Sequence, residues 1–169
     1  KEDTAFTVQY DFCMPDRFEL DYIAEDGNKK RAFVVHRSSI GSIERLVAFL
    51  IEHYGGAFPT WLAPTQVVVL PVAAAHDDYA NQVATTLREH GIRVEVSKAE
   101  DSLGKRIRAA KMQKASYLLV VGDKEVSGAA VSVESRDNGP AGSMTLTDFV
   151  NAILKEVKQR DLKSSLGAK

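Results

Sequence analysis

The residues with the most chemical potential stand close together. Val34 and Val35 run into a polar corner, His36-Arg37-Ser38-Ser39. Gly41-Ser42 then opens an amphipathic stretch with Arg45 one turn in. A helix N-terminus carries unpaired N–H groups and roughly half a positive charge, so a carboxylate suits that turn and a cation does not. Two readings fit Arg45. It is a surface arginine swinging back to Glu44 or out to water, or it lines an anion pocket where N–H groups, a serine hydroxyl and a guanidinium converge on a phosphate. Position alone leaves both open. His36 ends the strand beside this corner. A zinc site needs three or four ligands, and Cys13 and His53 are the nearby candidates, His53 at the far end of the helix. An internal three-ligand site is not expected, so a metal on His36 would need partners from outside this chain.

A second concentration of charge lies at Lys105, Arg106, Arg108, Lys111 and Lys114, five cations in ten residues with no acid among them. Leu103, Ile107 and Ala110 form the opposite, apolar face. Such a face is either simply solvated or tracks the phosphates of a nucleic acid. Glu100 and Asp101 just before it weaken the second reading, yet acid there is also good capping. No G-x-S-x-G nucleophile context and no phosphate-cradling glycine loop occurs, and Gly122-Asp123-Lys124-Glu125 is expected to be a turn.

The elements that must position these residues follow from periodicity. Phe6 to Phe12 alternates as a half-buried strand, broken by Pro15 and Asp16. Phe18 to Ile23 pairs through the turn Glu25-Asp26-Gly27-Asn28 with a returning strand over 32–36. Ile43, Leu46, Val47, Leu50, Ile51 and Tyr54 give a helix stopped by Gly55-Gly56. Phe58 to Pro64 is a connector. Beyond it the pattern alternates: strand Gln66–Val72, helix Asp78–His90, strand Ile92–Val96, helix Leu103–Lys114, strands Tyr117–Val121 and Ala130–Ser135, a loop over Arg136–Gly142, and a helix over Thr147–Gln159 with a frayed tail. That order argues for an α/β fold with a mixed, largely parallel sheet flanked by helices.

Composition fits this. The 169 residues are 44% hydrophobic and 27% charged with net charge −1, so the chain can build a core and any polyanion binding must be local. One cysteine excludes an internal disulfide and suits a reducing, cytoplasmic setting. No apolar run approaches the roughly 18 residues of a membrane span, and no signal-peptide pattern is present. Lys1-Glu2-Asp3-Thr4 reads as if the chain were entered mid-sequence.

The run "HRSSIGSIERLVAFLIEHYGGAFPTWLAPTQVVVLPV" resembles bacterial-type threonyl-tRNA synthetases. It spans the third signature motif of the class II catalytic domain and the junction with the anticodon-binding domain. "TVQYDFCMPDRFELDYIAEDG" resembles the catalytic stretch before it; "HGIRVEV", "LGKRIRAAKMQK", "YLLVVGDKEV" and "GSMTLTDFVNAI" resemble successive pieces of the C-terminal domain. The resemblance implies residues 1–62 as the end of an antiparallel class II catalytic α+β domain and 63–169 as an anticodon-binding α/β domain. It implies ATP-dependent activation of threonine and its transfer to tRNA-Thr, in a protein that works as a homodimer. Arg45 matches the catalytic motif arginine that contacts ATP, which enters with Mg2+. Gly41 and Ser42 would line the same floor, and Thr7 and Gln9 the substrate pocket. His36 matches the third protein ligand of the catalytic zinc, which grips the threonine hydroxyl and rejects valine. Glu125 matches a residue that reads anticodon bases, and Arg108 lies on the helix facing the anticodon loop.

Departures are equally specific. The family's other zinc ligands and its first two motifs match nothing here, so the chain alone is expected to be inactive. Where the family usually has an asparagine and a lysine before the basic helix, this chain has Glu100 and Ser102. Where a strand commonly bears an RNA-facing arginine, it has Glu134. These changes keep two further readings open: a non-catalytic RNA-binding or subunit-docking module, and a divergent paralogue with altered anticodon recognition.

Overall fold

The computed structural model describes residues 6–167; Lys1–Thr4 lie outside them. The chain divides into two compact units, one ending at His53 and the other starting at Tyr54.

In the first unit, β1 (Thr7–Asp11) leads into a short helix α1 (Cys13–Arg17), then β2 (Asp21–Ile23), β3 (Lys29–Arg31), β4 (Val34–Ser38) and helix α2 (Ile43–Tyr54). β1 pairs antiparallel with β4, and β2 with β3. The return from the turn is therefore split. Lys29–Arg31 closes the hairpin, while the residues after it pair with β1 instead of β2. The polar Lys29-Lys30-Arg31 has no period-2 pattern to betray it. Ion pairs hold it: Arg31 reaches Asp16 at 2.9 Å and Asp21 at 3.0 Å, and Lys30 reaches Asp26 at 2.9 Å. α2 has the expected bounds and amphipathic stripe, but none of its residues is buried; Ile43 is 73% exposed.

The second unit contains β5 (Val67–Pro71), a single 3-10 turn over Ala74–His76, α3 (Asp77–Glu89), β6 (Val94–Val96), α4 (Leu103–Met112), β7 (Tyr117–Val121), α5 (Asp123–Gly128), β8 (Ala130–Ser135), β9 (Gly139–Thr145) and α6 (Leu146–Gln159). The sheet order is β6-β5-β7-β8-β9. β6, β5 and β7 are parallel, and β8 pairs antiparallel with both β7 and β9, so it alone runs against the rest. Helices cover both faces of β5, which explains its unbroken apolar run. Val67 and Val69 pack with Leu87 of α3 and Phe149 and Ile153 of α6; Val68 and Leu70 pack with Ala110 of α4.

Three expectations for this unit need correction. Gly122–Glu125 is not a turn but the start of α5, six residues long and too short to show helical periodicity. The expected loop over 136–142 is a turn followed by β9, whose glycines and exposed Pro140 mask a strand; proline is tolerated on such an edge. The described part of the expected frayed tail, residues 161–167, is docked. Asp137 Oδ2 accepts from the Ser164 N–H at 2.9 Å, and Asn138 Nδ2 donates to the carbonyls of Ser164 and Leu166 at 2.8 and 2.9 Å. Burial alone would raise the Asp137 carboxyl, but the Arg136 guanidinium and the Ser164 N–H outweigh it and hold it below its usual range.

Candidate functional site

The first unit sets part of the expected site on the β1–β4 ladder, while Gly41, Ser42 and Arg45 follow at the start of α2 and do not line the same concavity. The ladder sets Gln9 opposite His36 and Thr7 opposite Ser38. His36 Nε2 lies 2.9 Å from Asp11 Oδ2. The other Asp11 oxygen caps α1, accepting from the N–H groups of Met14 at 2.9 Å and Cys13 at 3.0 Å. Met14 first, and then His36, hold the Asp11 carboxyl below the usual range. Ser38 Oγ accepts from the Gly41 N–H at 2.9 Å, in a turn where Gly41 takes φ +74°, a region that favours glycine.

Ser42 Oγ accepts from the Arg45 N–H at 3.2 Å. Ser42 is therefore the N-cap of α2, and Arg45 occupies the third helical position, where a capping box would carry Glu or Gln. The first-turn N–H groups not taken by this cap are the donors an anion would meet there. An open concavity of about 580 Å³ is lined by Gln9, Asp11, Cys13 and His36. No group of three His, Cys, Asp or Glu side chains among the described residues is placed to hold a metal ion.

In the second unit the sheet order starts at β5, steps outward to β6 and crosses back to β7. Open α/β sheets bind ligands at the carboxyl ends of the strands, beside such a switch point. Here that edge comprises Val72-Ala73 after β5, Ser97 to Ser102 after β6, and Gly122 after β7. Glu125 stands at it, its Oε2 accepting from the Gly122 N–H at 3.0 Å and so capping α5. A Cβ on Gly122 would meet Val72 Cγ2 at 3.1 Å. Buried His76 braces the same edge. Its Nδ1 accepts from the Ala73 N–H at 3.2 Å, so the proton sits on Nε2, which donates to Asp123 at 3.0 Å. The Tyr79 phenol is pushed up by burial and then by the charge of Glu125.

The basic helix α4 is not the uniformly solvated face its composition suggests. Arg106 is only 6% exposed and donates to backbone carbonyls: Asp101 at 2.9 Å, Ser97 at 3.2 Å and, longer, Val72 at 3.5 Å. Lys105 pairs with Asp101 at 2.9 Å, Lys111 with Glu134 at 2.6 Å, and Lys114 donates to the Gly55 carbonyl. Arg108 is exposed and, among the described residues, pairs with no acid. It lies one turn before Lys111 and so on the same side of the helix. That side faces β8, whose Glu134 is aligned with Leu118 near the amino end of β7. A cavity of about 440 Å³ lies beside the helix start, lined by Ser97, Lys98, Glu100, Asp101, Lys105 and Arg106.

Sequence reasoning named Arg108, Glu125, Glu100, Ser102 and Glu134 but missed Arg106, His76 and Asp123 as organisers of the edge. One signal was available. Leu103, Arg106, Ile107 and Ala110 fall at i, i+3, i+4 and i+7, which puts Arg106 on the apolar stripe.

Residues 66–156 match the family model described as anticodon binding domain. The chain is 50% identical over 161 residues to a threonine–tRNA ligase of Clostridium perfringens, covering 95% of this chain and 25% of that protein. A threonine–tRNA ligase of Caldanaerobacter subterraneus subsp. tengcongensis is 49% identical over 156 residues, 92% of this chain and 24% of the relative. The chain thus spans about a quarter of the length of the curated relatives it matches. A crystal structure of the RNA binding domain of threonyl-tRNA synthetase from Cryptosporidium parvum superposes with a TM-score of 0.76 at 30% identity, covering 95% of this chain and 40% of the other.

Proposed function

Because the chain belongs to the anticodon-binding domain family, in the form carried by threonyl-tRNA synthetases, we propose that it is the tRNA-reading part of a threonine–tRNA ligase. The observation that carries this is the match over 66–156, the segment that builds the five-stranded sheet and its carboxyl edge. On this reading Arg108 and Glu125 meet the anticodon loop of tRNA-Thr. The carboxyl edge presents the base-reading groups, and α4 supplies phosphate contacts. The parent protein is a cytoplasmic homodimer that activates threonine with ATP and transfers it to tRNA.

In the first unit, Arg45 would contact ATP, with Gly41 and Ser42 as the floor and Thr7 and Gln9 facing the substrate. Support comes from the Ser42 cap, which sets Arg45 in the first turn of α2, where helix N–H groups favour an anion. Bound Mg2+ would neutralise phosphate charge. His36 would be one ligand of a zinc ion that recognises the threonine amino group and hydroxyl. The described residues supply no three-ligand set and His36 Nε2 is engaged by Asp11, so a zinc ion on His36 would need further ligands from outside the described residues.

The test is fluorescence anisotropy of this chain with tRNA-Thr transcript, against the same transcript with its middle anticodon base changed. A tenfold loss, about 1.4 kcal/mol, is the size expected for one good base contact. Equal binding of both RNAs would refute anticodon reading. One observation favours a second reading, a divergent paralogue with altered recognition: Glu134 places an acid on the sheet and engages Lys111. In that case Glu125→Ala would leave charging of tRNA-Thr nearly unchanged in the full-length ligase, whereas Arg45→Ala would abolish threonine-dependent ATP–pyrophosphate exchange.

A further inference from the structure

Arg106 is a buried cation that meets no carboxylate among the described residues, and that calls for an explanation. A guanidinium is removed from water at a cost unless its donors are matched. It also sits in the first turns of α4, near the positive end of the helix dipole, where a cation gains nothing. Its donors go to three carbonyls from three different segments: Val72 at the exit of β5, Ser97 at the exit of β6, and Asp101 at the entry to α4. One planar fork therefore cross-links the strand exits with the connection that returns from β6. Asp101 is gripped twice, its carbonyl by Arg106 and its carboxylate by Lys105 at 2.9 Å. On either side of Asp101 stand Glu100 and Ser102, both exposed.

We propose that Arg106 is a positioning residue that preorganises the 97–102 loop, so that Glu100 and Ser102 meet RNA bases from a loop already fixed in its bound conformation. It touches no base itself. The proposal rests on the reading of this domain as an anticodon binder and adds to it the residue that sets the geometry of one recognition loop. Ordering a loop before binding removes an entropic cost that would otherwise fall on the complex, and it sharpens the difference between right and wrong bases. Lysine cannot substitute. Its ammonium is a single point on a flexible stem and cannot span three carbonyls as the fork does.

The experiment uses the whole chain with Arg106→Lys and Arg106→Met, read two ways. Amide hydrogen exchange over 97–102 tests the preorganisation directly. Both variants should exchange faster there while the amides of β5 and β7 keep their protection. Anisotropy then compares tRNA-Thr transcript with its middle-base variant. Each substitution should lower the ratio of the two affinities by about three- to tenfold, with an unchanged salt dependence because no phosphate contact is lost. Unchanged exchange in the loop would overturn the proposal, as would rescue by lysine. Loss of protection throughout the sheet would also overturn it, by making Arg106 a general stability residue. If the unsubstituted chain does not distinguish the two RNAs, the anticodon reading fails. The exchange data still decide whether Arg106 orders the loop.

Discussion

Replacing Glu134 by glutamine should make this protein bind tRNA more tightly, and the gain should depend on salt. Glu134 Oε1 lies 2.6 Å from Lys111 Nζ, with the two side chains 29% and 54% exposed. A half-exposed pair of this kind is worth about 0–1 kcal/mol to the fold, so E134Q should leave the urea midpoint almost where it was. Its effect on a polyanion is larger. The substitution removes a charge that repels phosphate and releases Lys111 to join Arg108 on the same side of α4. One added phosphate contact steepens the dependence of log K on log salt by about 0.7–0.9. The affinity advantage of E134Q over the parent should then grow about threefold as salt falls from about 200 to about 50 mM. Anisotropy titrations with tRNA-Thr transcript at several salt concentrations measure this, with Lys111→Ala as the opposite perturbation. An advantage that stays constant with salt, or no advantage, would show that RNA does not pass over the α4–β8 side. A lowered urea midpoint would show that the pair is structural.

Other expectations concern the buried end of the second unit. Glu156 is 1% exposed, and its Oε2 accepts from the Tyr117 hydroxyl at 2.6 Å and from the Ser165 N–H and hydroxyl, each at 2.8 Å. Tyr117→Phe should cost about 1–3 kcal/mol in urea unfolding, as leaving a buried acceptor without its donor does; a loss under about half a kilocalorie would show the bond to be unimportant. Ending the chain after Asp161 removes both Ser165 donors and should cost at least about 2 kcal/mol by the same measurement. Burial, and then Glu156, push the Tyr117 phenol well above its ordinary value. Its folded pKa is thus raised above the unfolded one. The stabilisation should be complete below about pH 10 and disappear as pH climbs through the folded value. Alkaline unfolding of Tyr117→Phe should lack that component.

The sequence made the second unit's core legible because its helices and central strands are long and periodic. Val67–Pro71 and Tyr117–Val121 are apolar without interruption, and Phe149, Val150 and Ile153 recur at helical spacing. Elements held by polar contacts left no such trace. Lys29–Arg31 depends on Asp16, Asp21 and Asp26, and the tail depends on Asp137, Asn138 and Glu156, all of them pairings between residues distant in sequence or unpatterned. The site was legible in part for a related reason. Residue type identifies Arg106 and Lys111 as cations, but which carbonyl or carboxylate each one meets is decided by the packing of β5, β6 and β8 around α4. Charge counts taken along a helix overstate what it can offer a ligand.

The docking of the tail also bears on when the fold can be completed. The Ser165 N–H and hydroxyl reach the carboxylate of Glu156, which in turn holds Tyr117 on a central strand, 39 residues earlier in the chain. During synthesis the strands emerge first and can begin to pair, since domains fold as the chain is made. Until Ser165 follows, that carboxylate lacks two of its three donors and has every reason to stay in water. Closure of this end of the sheet is thereby set by the arrival of Ser165, and a nascent chain paused before it holds an open, not a finished, domain.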